Sequence, residues 1–472
     1  MTEKEADSSR VHGAARVRRR AVLAGFATAS SSILLAACGG AGATETPKPA
    51  AVPTSAPAAS LAPTAAAPAA TAAPTATAAL TVAPTTAPAA MTGGKTTQIT
   101  FVHWYPQMDH PMAQVIKAYN DKQSAVKVVP QIEVDYTAIL QKVQAGLAAG
   151  NPPALATVGW NLKYAANALN LVPMEAIGGD TLSTVLGRFQ KEFLAAAVVG
   201  GKTIGLPYAT SNPVVYVNTD IVTKAGLDPN AVPKTWDAMV AWGRTLKDKT
   251  GIVPFALEST SWLEEAFIAS AGGRLLDDTG KPAFDTPEAA AGIAAQAKAF
   301  AGGLSPYQMS NDASNSFEAG TAALHFDSIF RLSGHRAATK ANFIVAPFPV
   351  VVEGKPTKLP TGGNFLGVFA KDADQRKGAW DFLSYATSDE GMAIWIKTGY
   401  ISPTNGKFDI PKGQEVAYAQ VPNAFPWTAW PGAKSVEANK AFQDNMQKAI
   451  TGAASPQDAL KSAKTEVATL LS

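Results

Sequence analysis

The sequence predicts an α/β fold in which two lobes, each a sheet covered by helices, face one another across a cleft. Two observations carry that expectation. Beyond Lys95, short apolar runs of strand type alternate with stretches whose apolar residues recur at helical spacing. The same alternation starts again near Val214, and residues 96–472 form a stretch long enough for two lobes.

Each element follows from its residues. Ile99–Val102 reads as a first strand, and Met112, Val115, Ile116 and Tyr119 then mark one face of an amphipathic helix. Val126–Val134 reads as a second strand, and Ile139, Leu140, Val143 and Leu147 mark a second helix. Gly150, Pro152 and Pro153 stop that helix, and Leu155–Val158 is again strand-like. This order predicts a mainly parallel sheet. In the second block, the strand Val214–Val217 precedes a helix that opens at Trp236.

The first 95 residues are of a different kind. The chain has 472 residues and a net charge of +3. Lys4, Arg10, Arg16, Arg18, Arg19 and Arg20 against Glu3, Glu5 and Asp7 account for all of it, so the rest is formally neutral. A neutral body argues against nucleic-acid binding. The basic stretch runs into the apolar segment 21–37, which is short and only moderately hydrophobic. That pattern fits an export signal rather than a spanning helix. Arg19-Arg20 leaves both the general and the twin-arginine export routes open. Leu35-Ala36-Ala37-Cys38-Gly39 resembles a bacterial lipobox, which implies lipidation of Cys38, the one cysteine of the chain. A single cysteine also rules out an internal disulfide framework. Residues 38–95 are the lipidated end and an Ala/Pro/Thr-rich tether, whose prolines block helix and ladder hydrogen bonds.

Motifs for catalysis are scarce. Gly-Gly-Lys-Thr occurs at Gly93–Thr96 and Gly200–Thr203. The glycine that a phosphate loop needs further upstream is Ala89 in one and Ala196 in the other, so ordinary turns are expected. His103 and His110 lack helical metal-ligand spacing, and no nucleophile elbow or Cys/His pair exists. Ser124-Ala125-Val126-Lys127 enters a strand without companion motifs. No metal or cofactor is expected. Aromatic residues say more, because Trp104, Tyr105, Tyr136, Trp160, Tyr208, Trp262, Tyr400, Trp427 and Trp430 cluster near strand ends or in Pro/Gly/Asn-rich stretches. Loops at the carboxyl ends of strands line clefts in α/β folds, and an aromatic face stacks on the C–H face of a sugar.

Several stretches resemble one family, the extracytoplasmic solute-binding proteins of ABC importers (sugar-binding family 1). They are Ile99–Trp104, Gly205–Tyr208 with Val214–Asp220, Ala225–Asp228 with Pro233–Trp236, Phe317–Leu324, Ala379–Leu383, and Trp395 with Thr398–Pro403. Ser211-Asn212-Pro213 and Thr361-Gly362-Gly363-Asn364 are similar to its glycerol-3-phosphate branch. The resemblance implies a two-lobed periplasmic-binding-protein-like (type II) fold with a hinge. The expected lobes are 96–209 with 350–398, and 210–349 with 399–472. Crossovers are expected near 209–213, 347–351 and 400–403.

Carried over from that branch, Tyr136, Ser211, Trp262, Ser328, Gly363 and Tyr400 are expected to contact ligand. Trp104, Trp160, Asn161, Asn212, Asp327, Gly362, Trp427 and Trp430 complete the expected set. The branch uses a C-terminal arginine for phosphate, whereas this chain offers Lys434 near that place, which lacks the bidentate fork. A neutral sugar or oligosaccharide is therefore preferred to glycerol 3-phosphate or a glycerophosphodiester. The resemblance implies a monomeric, non-enzymatic carrier held by its lipid on the outer face of the cytoplasmic membrane, which delivers ligand to the permease subunits. A surface carbohydrate-active hydrolase is the alternative of another class, with Glu264, Glu265 or Asp327 as candidate acids.

Overall fold

The computed structural model describes residues 96–472 except 106–109, 160–161, 163–164, 167–168 and 433. The export signal, Cys38 and the tether lie outside the described residues, as do Trp160 and Asn161. Among the described residues no helix is long and apolar enough to cross a membrane.

The first sheet contains β1 (Thr97–His103), β2 (Val126–Ile132), β3 (Leu155–Val158), β6 (Leu206–Ser211) and β11 (Leu359–Val368), and β12 (Ala424–Pro426) extends β11 at its start. β1 runs parallel to both β2 and β3, while β11 is antiparallel to β3 and to β6. One face is covered by the helices Pro111–Lys122, Ala373–Ala386 and Asp389–Trp395, around Phe101, Met112, Phe382 and Trp395. The helix Tyr136–Ala148 covers the other, around Val102, Ile139 and Val143. Between the two sheets in sequence, β4 (Val198–Val199) and β5 (Lys202–Thr203) form a hairpin. Gly200 and Gly201 turn it with φ of 58° and 76°, so the second Gly-Gly-Lys-Thr is a turn, which needs glycine's left-handed freedom.

The second sheet has the order β10-β7-β9-β8, from β7 (Pro213–Asn218), β8 (Val253–Leu257), β9 (Ala322–Ser328) and β10 (Phe343–Pro347). Only β8 and β9 are parallel; β7 is antiparallel to both β9 and β10. The expectation of mainly parallel sheets therefore holds for β3-β1-β2 and fails here. β7 enters from the other lobe directly after β6 and runs opposite to β8, β9 and β10, which share one direction and are joined to one another through helices. Phe255, Phe267, Phe326 and Trp236 fill one face of this sheet. Beside this lobe, the helices Pro287–Ala301, Ser435–Ile450 and Pro456–Leu471 form a separate apolar cluster.

Asn212 alone separates β6 from β7 and marks one passage between the sheets. The passage expected near 347–351 comes later. Phe348, Val351 and Leu359 pack into the second core, whereas Leu366 and Val368 pack into the first, so the crossing lies within β11. Gly362 and Gly363 stand at that point, opposite Ser211 and Thr210 of β6. Ile401 bridges Thr210 where a further passage occurs. Gln420 ties these segments together. It accepts from Phe348 N (2.8 Å) and donates to Pro213 O (2.8 Å) and Asn212 Oδ1 (3.1 Å).

Candidate functional site

Local chemistry places the side chains before the lobes meet. Asp135 Oδ1 accepts from Ala138 N at 2.8 Å and caps the helix Tyr136–Ala148, so Tyr136 opens its first turn. A Cβ on Gly159 would lie 2.9 Å from the Tyr136 ring, so glycine there makes room for it. On the opposite lobe, Thr260 caps the helix Ser261–Ser270 and puts Trp262 in its first turn, at the carboxyl end of β8. A Cβ on Gly362 would lie 2.6 Å from Ser211 Oγ and 3.4 Å from the Trp262 ring. The diglycine of β11 thus lets Ser211 and Trp262 approach the backbone where the chain changes lobe.

Around this point the two lobes meet through aromatic rings. Trp104 stands edge-on to Tyr136 (6.0 Å) and to Phe330 (6.4 Å). Phe330 stacks on Tyr400 at 5.4 Å, and Tyr400 stacks on Trp395 at 5.5 Å. Asn364 Nδ2 donates to the hydroxyls of Tyr136 (2.9 Å) and Tyr105. Beside these residues opens a cleft of about 570 Å³, lined by Thr210, Gly362, Gly363 and Asn364 from the first sheet, and by Asp278 and Trp427 among others. A groove of about 400 Å³ also lies along the edge strand β2 and involves the first lobe only.

Two buried polar atoms near the diglycine lack a partner: the indole N–H of Trp262 and Asn364 Oδ1, while the Trp104 indole is hydrogen-bonded to Tyr136. Buried polar atoms are nearly always satisfied, so one donor and one acceptor left open suit a group that both donates and accepts. Hydroxyls have that property.

Burial keeps the acids around this point neutral. Burial, and then the charge of neighbouring Asp327, pushes Glu258 up to about 8. Burial pushes Glu265 up to about 8 as well, against its hydrogen bonds with Thr428. Glu264 is also raised, by burial and then by Glu258. Arg331 bonds Asp327 Oδ2 (3.0 Å), Ser310 Oγ (2.7 Å) and Asn311 Oδ1 (3.1 Å), so its charge is already committed. Burial raises Tyr136 to about 12 and Tyr105 and Tyr400 well above their ordinary value, which keeps these phenols neutral. Lys434 is exposed at the start of the helix Ser435–Ile450. No group of three or more His, Cys, Asp or Glu suited to a metal occurs among the described residues.

The structure gathers Trp104, Tyr136, Ser211, Trp262, Gly362, Gly363 and Tyr400 around one point, and Trp427 on the cleft wall. It separates three others from it. Trp430 is 2% exposed and packs edge-on to Phe284 (6.0 Å), with its N–H bonded to Asn439. It is core of the helical cluster rather than cleft lining. Asn212 donates to Ala417 O and accepts from Gln420, which makes it a fastening of the crossover. Asp327 is saturated by Arg331, Ser310 and its own neighbour Ser328 N (2.5 Å), and so acts as a brace behind Ser328. Phe330, Asn364 and Glu258 were not expected. Asn364 follows the diglycine directly and Glu258 follows a strand, which are usable signals; nothing local marks Phe330.

A family model described as bacterial extracellular solute-binding protein matches residues 114–425. The sn-glycerol-3-phosphate-binding periplasmic protein UgpB of Pectobacterium atrosepticum is 26% identical over 384 residues, covering 73% of this chain and 84% of the relative. UgpB of Escherichia coli K12 is 25% identical over 411 residues, covering 78% and 92%. Among solved structures, the cyclic alpha-maltosyl-1,6-maltose binding protein from Arthrobacter globiformis superposes with a TM-score of 0.68 at 23% identity, covering 80% of this chain and 99% of the other. UgpB from Mycobacterium tuberculosis, in complex with glycerophosphocholine, gives 0.68 at 20% identity with the same coverage. At these identities the two structures attest the fold alone.

Proposed function

Because the chain belongs to the bacterial extracellular solute-binding protein family, we propose that it captures a neutral sugar or oligosaccharide between its lobes and delivers it to the transmembrane subunits of an ABC importer. The observation that carries the ligand class is the pair of open polar atoms on Trp262 and Asn364, beside an Arg331 already paired with Asp327. Hydroxyls satisfy such atoms, while a phosphate would find the guanidinium of Arg331 already paired with Asp327. Ligand entering the open cleft favours the closed arrangement to the extent that it binds that arrangement better, and no reacting group is required. The passages at Asn212, within β11 and near Ile401 are the positions at which the backbone turns.

A second reading, capture of glycerol 3-phosphate or a glycerophosphodiester, draws on the relatives of that specificity. A thermal-shift screen against maltose, maltotriose, polyols and sn-glycerol 3-phosphate separates the two. A ligand at about 100 times its Kd stabilises the folded protein by about 2.7 kcal/mol, so a sugar that fits raises Tm by several degrees. A shift with glycerol 3-phosphate and none with any sugar replaces the first reading by the second. The ligand is expected back unchanged by mass spectrometry; shorter products would make the protein a hydrolase.

The exported, anchored state belongs to the same proposal. Cleavage before Cys38 and its lipidation leave the Ala/Pro/Thr-rich stretch 39–94 as a spacer between membrane and lobes. Cys38→Ser is expected to move the protein from the membrane fraction to the soluble one. Retention of this variant in the membrane fraction would end the lipid-anchor reading.

A further inference from the structure

β2 stands at the end of the strand order β12-β11-β3-β1-β2, so one side of it has no neighbouring strand. Thr97 N donates to Ala125 O and Glu133 N donates to His103 O, each at 2.9 Å. The odd-numbered positions of this stretch therefore turn their backbone groups toward β1. Val126, Val128, Pro130 and Ile132 turn theirs outward, to the free side.

Side chains already occupy the first two of these outward positions. Val128 N donates to Asn120 Oδ1 (2.9 Å), and Asn120 Nδ2 donates to Val128 O (3.0 Å). Val126 N donates to Gln123 Oε1 (2.8 Å), and Gln123 Nε2 donates to Val126 O (2.6 Å). Each amide gives one donor and one acceptor to a single residue, as the peptide groups of an adjacent strand would. A carboxylate only accepts and an ammonium only donates, so neither could make both bonds. Asn120 lies in the last turn of the helix Pro111–Lys122, and Gln123 caps its carboxyl end three positions on. That spacing sets the two amides over alternate residues of β2. Pro130 has no N–H to offer, and Ile132, at the strand end, has no amide cap among the described residues.

We propose that Asn120 and Gln123 stand in for a neighbouring strand and, with Pro130, close this edge to a second copy of the chain, which keeps the protein a single chain in solution. A free edge is a template for pairing with another chain. This one is otherwise suited to it, because Val126, Val128, Val129 and Ile132 are β-branched residues that favour strands. With the amides gone, two copies would pair β2 with β2 about a two-fold axis, each supplying the same donors and acceptors. The inference is independent of the ligand reading, because the groove beside β2 involves the first lobe only.

The test is light scattering of the full-length protein over a concentration series, with Cys38→Ser as the parent so that no lipid drives association. Asn120→Ala, Gln123→Ala and Pro130→Thr are then combined; none of them adds a large apolar side chain. The parent is expected to keep the mass of one chain, 48.8 kDa, throughout. The triple variant is expected to move toward twice that mass as concentration rises. A parent that already associates, or a folded triple variant that keeps the single-chain mass at every concentration, overturns the proposal. Amide hydrogen exchange decides the matter if the triple variant does not fold. In the parent the Val126 and Val128 amides are expected to be protected. Gln123→Ala alone speeds exchange at Val126, and Asn120→Ala alone at Val128, each about tenfold, the size of one hydrogen bond. Parent amides at these two positions that exchange as fast as unbonded ones overturn the proposal as well.

Discussion

Gly363→Ala is expected to cost about 3 kcal/mol or more and to lower Tm by about 4 °C or more. Two independent reasons combine. Gly363 has a φ of +117°, which L side chains rarely adopt, and a Cβ there would sit inside the van der Waals envelope of the Ala209 carbonyl on β6. The strand cannot yield freely, because the next residue, Asn364, holds Tyr105 and Tyr136, and the pairing with β6 shifts register directly after it. Gly363 also lies where β11 changes lobe, so any protein that does fold should bind ligand poorly. Thermal unfolding by circular dichroism measures the first effect and calorimetric titration the second. A variant with wild-type Tm and affinity would show that this passage is not constrained as described.

Trp262→Ala is expected to weaken sugar binding by about a hundredfold. Stacking on a sugar face and one indole hydrogen bond are both lost, and each is worth about 1–1.5 kcal/mol. Trp262 is 7% exposed and also packs in the second core, so truncation costs stability, on the order of 3 kcal/mol. Trp262→Phe separates the two contributions. It keeps an aromatic ring and loses the N–H with the fused five-membered ring, so it should retain more stability than the alanine variant and bind about tenfold more weakly. A folded Trp262→Ala protein with unchanged affinity removes Trp262 from the site.

Both predictions concern residues that the sequence singled out, Gly363 and Trp262, and the grounds differ. Trp262 stood out as an aromatic residue close behind a strand. The structure adds the Thr260 cap that turns it inward and the open N–H that gives it something to do. Gly363 stood out through family resemblance. Its φ and the closeness of Ala209 appear only once β6 and β11 are paired. Trp430 shows the opposite outcome. It lies in the same kind of Pro/Gly-rich stretch as Trp427, three residues away, yet it turns into the cluster of Phe284 and Phe442. His325 and His335, ten residues apart on a strand and a helix, come together with His325 Nδ1 2.9 Å from His335 Nε2.

By itself the sequence determined the elements, their order, the neutral folded body and the contrast with the basic, apolar and Pro-rich front. These depend on side-chain periodicity, caps and helix-breaking residues within a few positions of one another. Tertiary structure alone decided the direction of β7, the late crossing within β11, and which aromatic residues face the cleft. Periodicity shows that a face is buried, and it carries no information about what buries it. That depends on pairings such as Gly362 with Ser211, between residues far apart in the chain, whose energy exists only when the two lobes share a strand.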